Sequence, residues 1–136
     1  MKKARAVVIH ELAHARAALA AAGELGVPVE LWSAPGAAAY AGAGWFDAVL
    51  RAAGNQAPSA VFIGVLDCGD RADLVQAALR QGLTHVCFRG SRAVADRLAD
   101  IARRGNATLH RRRPRALDLL YATDPLGACR ALFATD

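Results

Sequence analysis

Short apolar runs alternate along the chain with longer stretches of helical periodicity, and glycine-containing breaks separate them. Ala6-Val7-Val8-Ile9 has no polar alternation and is too short for a helix, the pattern of a strand covered on both faces of a parallel sheet. Residues 12–22 carry Leu12 and Leu19 among alanines and predict a helix that Gly23 or Gly26 closes. Val27 to Trp32 predicts a second strand with Pro28 near its start. Ser33-Ala34-Pro35-Gly36 breaks it, and a helix follows over Trp45 to Ala53 with Trp45, Phe46 and Val49 facing the sheet.

The second half repeats the pattern more sharply. Ala60 to Leu66 is the most hydrophobic run and predicts a central strand. Asp70 is placed as the N-cap of a helix that ends at Gly82, and Thr84 to Phe88 forms the fourth strand. Ser91 caps a helix whose Val94, Leu98 and Ile101 fall at i, i+4 and i+7, and Gly105 closes it. Ala107 to His110 is a weaker fifth strand. Pro114 suits the first turn of a helix with Leu117, Leu120 and Tyr121 on one face, and Asp124-Pro125 precedes a last short helix holding Leu132 and Phe133.

Five strands alternating with helices predict one α/β domain over residues 1–136, built on a parallel sheet with right-handed crossovers and helices on both faces. A flavodoxin-like or Rossmann-like three-layer sandwich suits that count. The run Ala77 to Val86 also resembles one βα unit of an aldolase-type barrel, so a partial barrel is the alternative architecture. A full eight-unit barrel needs about 250 residues, and the chain has 136.

Composition narrows the function classes only slightly. The apolar fraction is 54%, but 33 residues are Ala, so large core side chains are fewer than that figure suggests. The net charge of +5 comes from 15 Arg and two Lys against 12 acidic residues. That Arg excess, with the Ala excess, matches a GC-rich bacterial genome more than a polyanionic partner. Cys68, Cys87 and Cys129 form no CxxC pair and are odd in number, which fits a reducing cytoplasm and no disulfide framework. His10, Glu11, His14 and Arg16 interrupt the apolar stretch after Met1-Lys2-Lys3, so no signal peptide is expected. No uncharged apolar run reaches the roughly 18 residues of a membrane span, and no membrane partner is expected.

His10-Glu11-Leu12-Ala13-His14 matches HExxH, where two His one helical turn apart bind zinc and the Glu activates the metal-bound water. Over these five residues the chain resembles the zinc metalloprotease family. The resemblance implies a zinc metallohydrolase, and its chemistry needs all five residues on a helix. Val7-Val8-Ile9 reads instead as a strand ending at His10, so no metal is expected; on that reading Glu11 opens the helix and His14 is an ordinary helical residue.

Ligands of open parallel sheets bind beyond the carboxyl ends of the strands. That rim gathers His10 and Glu11, then Ser33 to Gly36, Asp67 to Asp70, Arg89 to Ser91, and Arg113. The candidate site is therefore Asp67, Arg89, Ser33, Gly36, Arg113, His10 and Glu11. Asp67 leads because it follows the central strand directly, either serving a ligand or accepting backbone N–H bonds in the Asp67-Cys68-Gly69 turn. A small anionic metabolite is the expected ligand, because Arg89 and Arg113 both reach the rim. No cofactor is identified. The small-residue stretch from Ser33 to Gly44 offers a weak phosphate cradle and matches neither the P-loop nor GxGxxG.

An Asp at the end of the third strand and Arg113-Pro114 after the fifth are similar to the layout of response-regulator receiver domains, which place a phospho-acceptor Asp and a Lys-Pro there. His10-Glu11 stand where that family has paired acidic residues, and Arg113 where it has Lys. The resemblance therefore implies a degenerate, non-phosphorylated module. Six basic residues lie between Arg103 and Arg115, but without interleaved aromatics or a binding module no specific nucleic-acid partner is expected. The competing function class is a non-catalytic homodimeric interaction module whose C-terminal Leu, Tyr and Phe face a partner.

Overall fold

A computed structural model describes residues 2–135. The fold is α/β. Six parallel strands, β1 (Arg5–Val8), β2 (Val29–Trp32), β3 (Phe62–Asp67), β4 (His85–Cys87), β5 (Thr108–His110) and β6 (Leu117–Asp118), form a sheet in the order β5-β4-β3-β2-β1-β6. Five helices accompany them: α1 (Leu12–Leu25), α2 (Ala43–Gln56), α3 (Ala72–Gln81), α4 (Arg92–Arg104) and α5 (Pro125–Phe133). This is the flavodoxin-like or Rossmann-like alternation that the apolar runs predict, with one strand more than the five expected. Among the described residues, no helix is long and apolar enough to cross a membrane.

The chain divides into two compact units, Met1–Trp32 with Ala48–Ile63 and Arg115–Asp136, and Ser33–Asp47 with Gly64–Pro114. In the first, β1 lies in parallel register with β2, Arg5 opposite Val29 and Val8 opposite Trp32. Val7, Ile9, Val29, Leu31 and Trp32 are buried, as continuous apolar runs require of covered parallel strands. The face of α1 that carries Ala15, Ala18, Leu19 and Ala22 is buried as well, and α1 packs on α5. Ala15, Ala18 and Ala22 present only methyl groups on this face, and Leu19 is its one large side chain. Gly23 lies inside α1, and the helix ends at Gly26 instead.

The helix expected after Pro114 does not form. Residues 117 and 118 instead pair in parallel with Val7 and Val8 as β6, and the Leu119 amide donates to the Val8 carbonyl at 3.1 Å. Leu117, Asp118 and Leu119 are half-buried, exposed and buried, the period-two alternation of a strand. The edge of β1 takes these backbone bonds, a demand that outweighs the helical spacing of Leu117, Leu120 and Tyr121. Leu120 and Tyr121 consequently stand exposed. Asp124 caps α5 by accepting from the Gly127 amide, with Pro125 in the first turn.

In the second unit β3, β4 and β5 lie side by side, with Asp67 opposite Cys87 and Cys87 opposite His110. Val65, Leu66, Val75, Ala78, Val86 and Leu98 form its buried interior. Ser91 caps α4 as predicted, accepting from the Val94 amide at 3.3 Å. Asp70 does not cap α3: the N-cap is Arg71, and its side chain makes no cap bond. Ile101 is 46% exposed, although its spacing places it with Leu98. The buried positions of α4 are Ala95, Leu98 and Ala102, a stripe displaced from Val94 and Ile101 by one residue.

Candidate functional site

The site grows from one carboxylate. β3 ends at Asp67, which is completely buried, and a bare ionised carboxyl there would be prohibitively costly. The turn that follows supplies its first partner. Gly69, at φ 59, turns its amide back to Asp67 Oδ1 at 2.7 Å, a left-handed conformation that favours glycine. The Gly36 amide reaches the same oxygen at 3.1 Å from the loop after β2.

The remaining acceptor directions go to two arginines. Arg89, just past β4, donates from Nε to Oδ2 at 3.1 Å and from an Nη to Oδ1 at 3.2 Å, the parallel two-bond geometry that guanidinium and carboxylate share. Arg113, beyond β5, donates to Oδ2 at 2.9 Å. Because β3, β4 and β5 run parallel and in register, residues just past their ends converge. Cys87 lies opposite Asp67 in the β3–β4 register.

Backbone bonds fix this arrangement. The Arg89 amide donates to the Gly69 carbonyl at 2.7 Å and the Cys68 amide to the Cys87 carbonyl at 2.8 Å. Ser33, fully buried, accepts from the Asp67 amide on Oγ at 2.8 Å and donates to the Ala34 carbonyl at 3.1 Å. The loop amides of Gly36, Ala37 and Ala39 are all engaged within the unit. The Ser33–Gly36 loop is thus docked on Asp67, and those amides do not form a phosphate cradle.

Burial by itself would push the Asp67 carboxyl up, but hydrogen bonds from Arg113, Arg89 and the Gly69 and Gly36 amides outweigh it and hold the group below its ordinary value. Asp67 is ionised, buried and saturated, because a carboxylate offers about four lone-pair directions. It holds two guanidinium groups in place and offers no oxygen for attack on a phosphoryl donor. Burial, followed by the Asp67 charge, pushes the thiols of Cys68 and Cys87 up to about 12. Burial pushes Cys129 to about 11. Neither rim thiol is a nucleophile near neutral pH.

Five of the seven residues expected at the rim, Ser33, Gly36, Asp67, Arg89 and Arg113, therefore form one hydrogen-bonded cluster. No family model matches the chain, and no curated protein matches it either.

His10 and Glu11 lie in the first unit. His10 Nε2 sits 2.7 Å from Asp118 Oδ1, and the His10 amide donates to His14 Nδ1 at 3.0 Å. His10 precedes α1, whose N-cap is Glu11, so the HExxH residues do not share a helix. His14 uses one ring nitrogen as an acceptor for the backbone ahead of the helix, in the manner of a capping side chain reaching back. Among the described residues, no group of three or more His, Cys, Asp and Glu side chains is gathered to hold a metal ion.

The arginine-rich stretch is likewise divided by ion pairing. Arg103 and Arg104 pair with Asp100, Arg111 with Asp96, and Arg113 with Asp67. The sequence spacing concealed this, because Arg103 and Arg104 precede β5 whereas Arg111 and Arg113 follow it.

Proposed function

We propose that this protein binds a small anionic ligand beside Arg89, at the carboxyl ends of β3 and β4. The observation that supports the reading is the two-bond grip of Arg89 on Asp67. It commits Nε and one Nη to the buried carboxylate, on a side chain that is 38% exposed and keeps one Nη outside the pair. A guanidinium held in this way loses little freedom when an anion docks, because its ordering cost is already met in the free protein. Arg89 also lies two residues ahead of Ser91, the cap of the 13-residue helix α4, whose amino end favours negative charge. In this reading Asp67 is a positioning residue and Arg89 the contact residue. Asp70, whose charge acts on Arg89, competes with the ligand.

Thermal denaturation with inorganic phosphate, citrate and sugar phosphates tests this. A ligand that binds only the native state adds about 2.7 kcal/mol at one hundred times its Kd. Stabilisation by at least one of these anions that disappears in Arg89→Gln is expected. Stabilisation that persists undiminished in Arg89→Gln, or none with any of them, rejects the reading.

A second reading, a homodimeric interaction module, is favoured by Tyr121, 90% exposed, beside Leu120, 48% exposed. Phe133 is buried and takes no part in such a surface. Sedimentation of wild type and Tyr121→Lys distinguishes the readings: a dimer that this change dissociates supports the second. The three free, buried cysteines favour a reducing, cytoplasmic location in either case.

A further inference from the structure

A cleft of about 310 Å³ opens in the second unit, where α3 and α4 end and β4 and β5 begin. It shares no residue with the Asp67 cluster. Its walls are Leu79 and Leu83 on one side and Ile101, Ala102 and Ala107 on the other. The space exists because Ala102 and Ala107 present only methyl groups where larger side chains would close the gap. It also accounts for Ile101, which keeps the spacing of a packed residue yet stays 46% exposed. Arg80 is the one charged residue on the wall. It is exposed, and among the described residues it makes no ion pair or hydrogen bond.

We infer that this cleft binds a small amphipathic monocarboxylate, its apolar chain on Leu79, Leu83 and Ile101 and its carboxylate on Arg80. The volume lies at the lower end of the range for small-molecule pockets, which are apolar with few fixed polar groups. The single cation at the lip sets the sign of the ligand: a carboxylate finds a two-bond partner in the guanidinium, whereas an ammonium is repelled. Apolar contact supplies most of the affinity, and Arg80 supplies the discrimination.

Amide chemical shifts of the full chain, titrated with octanoate, octan-1-ol and octylamine, test the inference. Octanoate is expected to give saturating shifts confined to residues 79–84 and 101–107, with octylamine weakest. Arg80→Gln, an exposed substitution that leaves the core intact, should weaken octanoate about tenfold, the size of one charge-assisted bond, and leave octan-1-ol unchanged. Ala107→Leu should abolish binding of all three, and if that variant does not fold, Arg80→Gln still decides. Absence of saturating shifts in those segments, or octanoate binding equally to wild type and Arg80→Gln, overturns the inference. Octanoate shifts centred on Arg89 instead overturn it while leaving the anion site of the rim standing. Concentration-dependent shifts of the same amides without any ligand place a second copy of the chain in the cleft and also overturn it.

Discussion

Arg89 grips Asp67 with two nitrogens at 3.1 and 3.2 Å, although the carboxylate is fully buried and the guanidinium side chain is 38% exposed. The pair therefore spans the boundary between interior and solvent, and its two halves respond differently to mutation. Asp67→Asn keeps the shape but removes the charge, and turns an amide NH₂ toward donors on Arg89 and Arg113. Breaking a buried pair from one side costs about 3–5 kcal/mol. The lower end is expected here, because Arg89 can rehydrate. Chemical denaturation of Asp67→Asn should show about 3 kcal/mol lost, and a loss under about 1 kcal/mol would show that the cluster holds the fold only weakly.

Acid should remove the same stabilisation. Asp67 titrates below its ordinary value of 3.8 in the folded protein, so on acidification the unfolded chain takes up its proton first. Proton uptake by the unfolded state lowers the stability of the native one. The contribution is complete above the ordinary value and is lost as pH falls through the depressed folded value. The gap between wild type and Asp67→Asn, measured by denaturation from pH 6 downward, should stay constant to about pH 5 and close progressively below pH 4. A gap independent of pH would assign the destabilisation to shape alone.

The convergence of Asp67, Arg89 and Arg113 was legible because it follows from one rule. Parallel strands deliver the residues at and just past their ends to a common rim, and each of these three ends or follows a predicted strand. Which group holds which was not legible. The spacing of 22 residues from Asp67 to Arg89, and 46 to Arg113, has no local periodicity, and the saturation of Asp67 emerges only when five N–H donors meet. The segment after Pro114 shows the opposite difficulty. Leu117, Leu120 and Tyr121 fit a helix face, Leu117-Asp118-Leu119 fits a strand, and the exposed edge of β1 decided between them. Ile101 keeps helical spacing with Leu98, but the buried stripe of α4 runs through Ala95, Leu98 and Ala102 and leaves it exposed.

The HExxH match should not hold zinc. His10 precedes the helix and faces Asp118, while His14 accepts the His10 amide on Nδ1. Metal coordination by His14 Nδ1 would cost that backbone bond, and His10 is committed elsewhere. Elemental analysis of the purified chain is expected to find substoichiometric zinc, with the melting temperature unchanged by EDTA. One zinc per chain, lost in both His10→Ala and His14→Ala, would contradict this.

Gly90, next to Arg89, lies against the Phe88 ring. A β-carbon at Gly90 would collide with the Phe88 ring, which is buried and cannot swing away into solvent. Gly90→Ala must shift either the ring or the turn, and overpacking of this kind costs about 1–3 kcal/mol. Such a shift would also move the Arg89 guanidinium. Loss of stability with any anion-induced thermal shift reduced in parallel is expected; an unchanged anion response would show that Arg89 is held by Asp67 alone.

Asp70 offers the most discriminating test of the rim, because it separates binding from folding. It is exposed, caps nothing, and acts on Arg89 through its charge. Removing an exposed charge of this kind changes stability by no more than about 0.5 kcal/mol. The same removal takes a competing negative field from the outer edge of Arg89. Between exposed groups such a field is worth at most about 0.5–1 kcal/mol at moderate salt, and it acts only on an anion docking there. Asp70→Asn should thus bind phosphate or a sugar phosphate about two- to fivefold more tightly at an unchanged melting temperature of the free protein. The gain should shrink as salt rises and the field is screened. Titration calorimetry at low and high ionic strength measures it. Equal affinity in Asp70→Asn and wild type at low salt would move the anion away from Arg89.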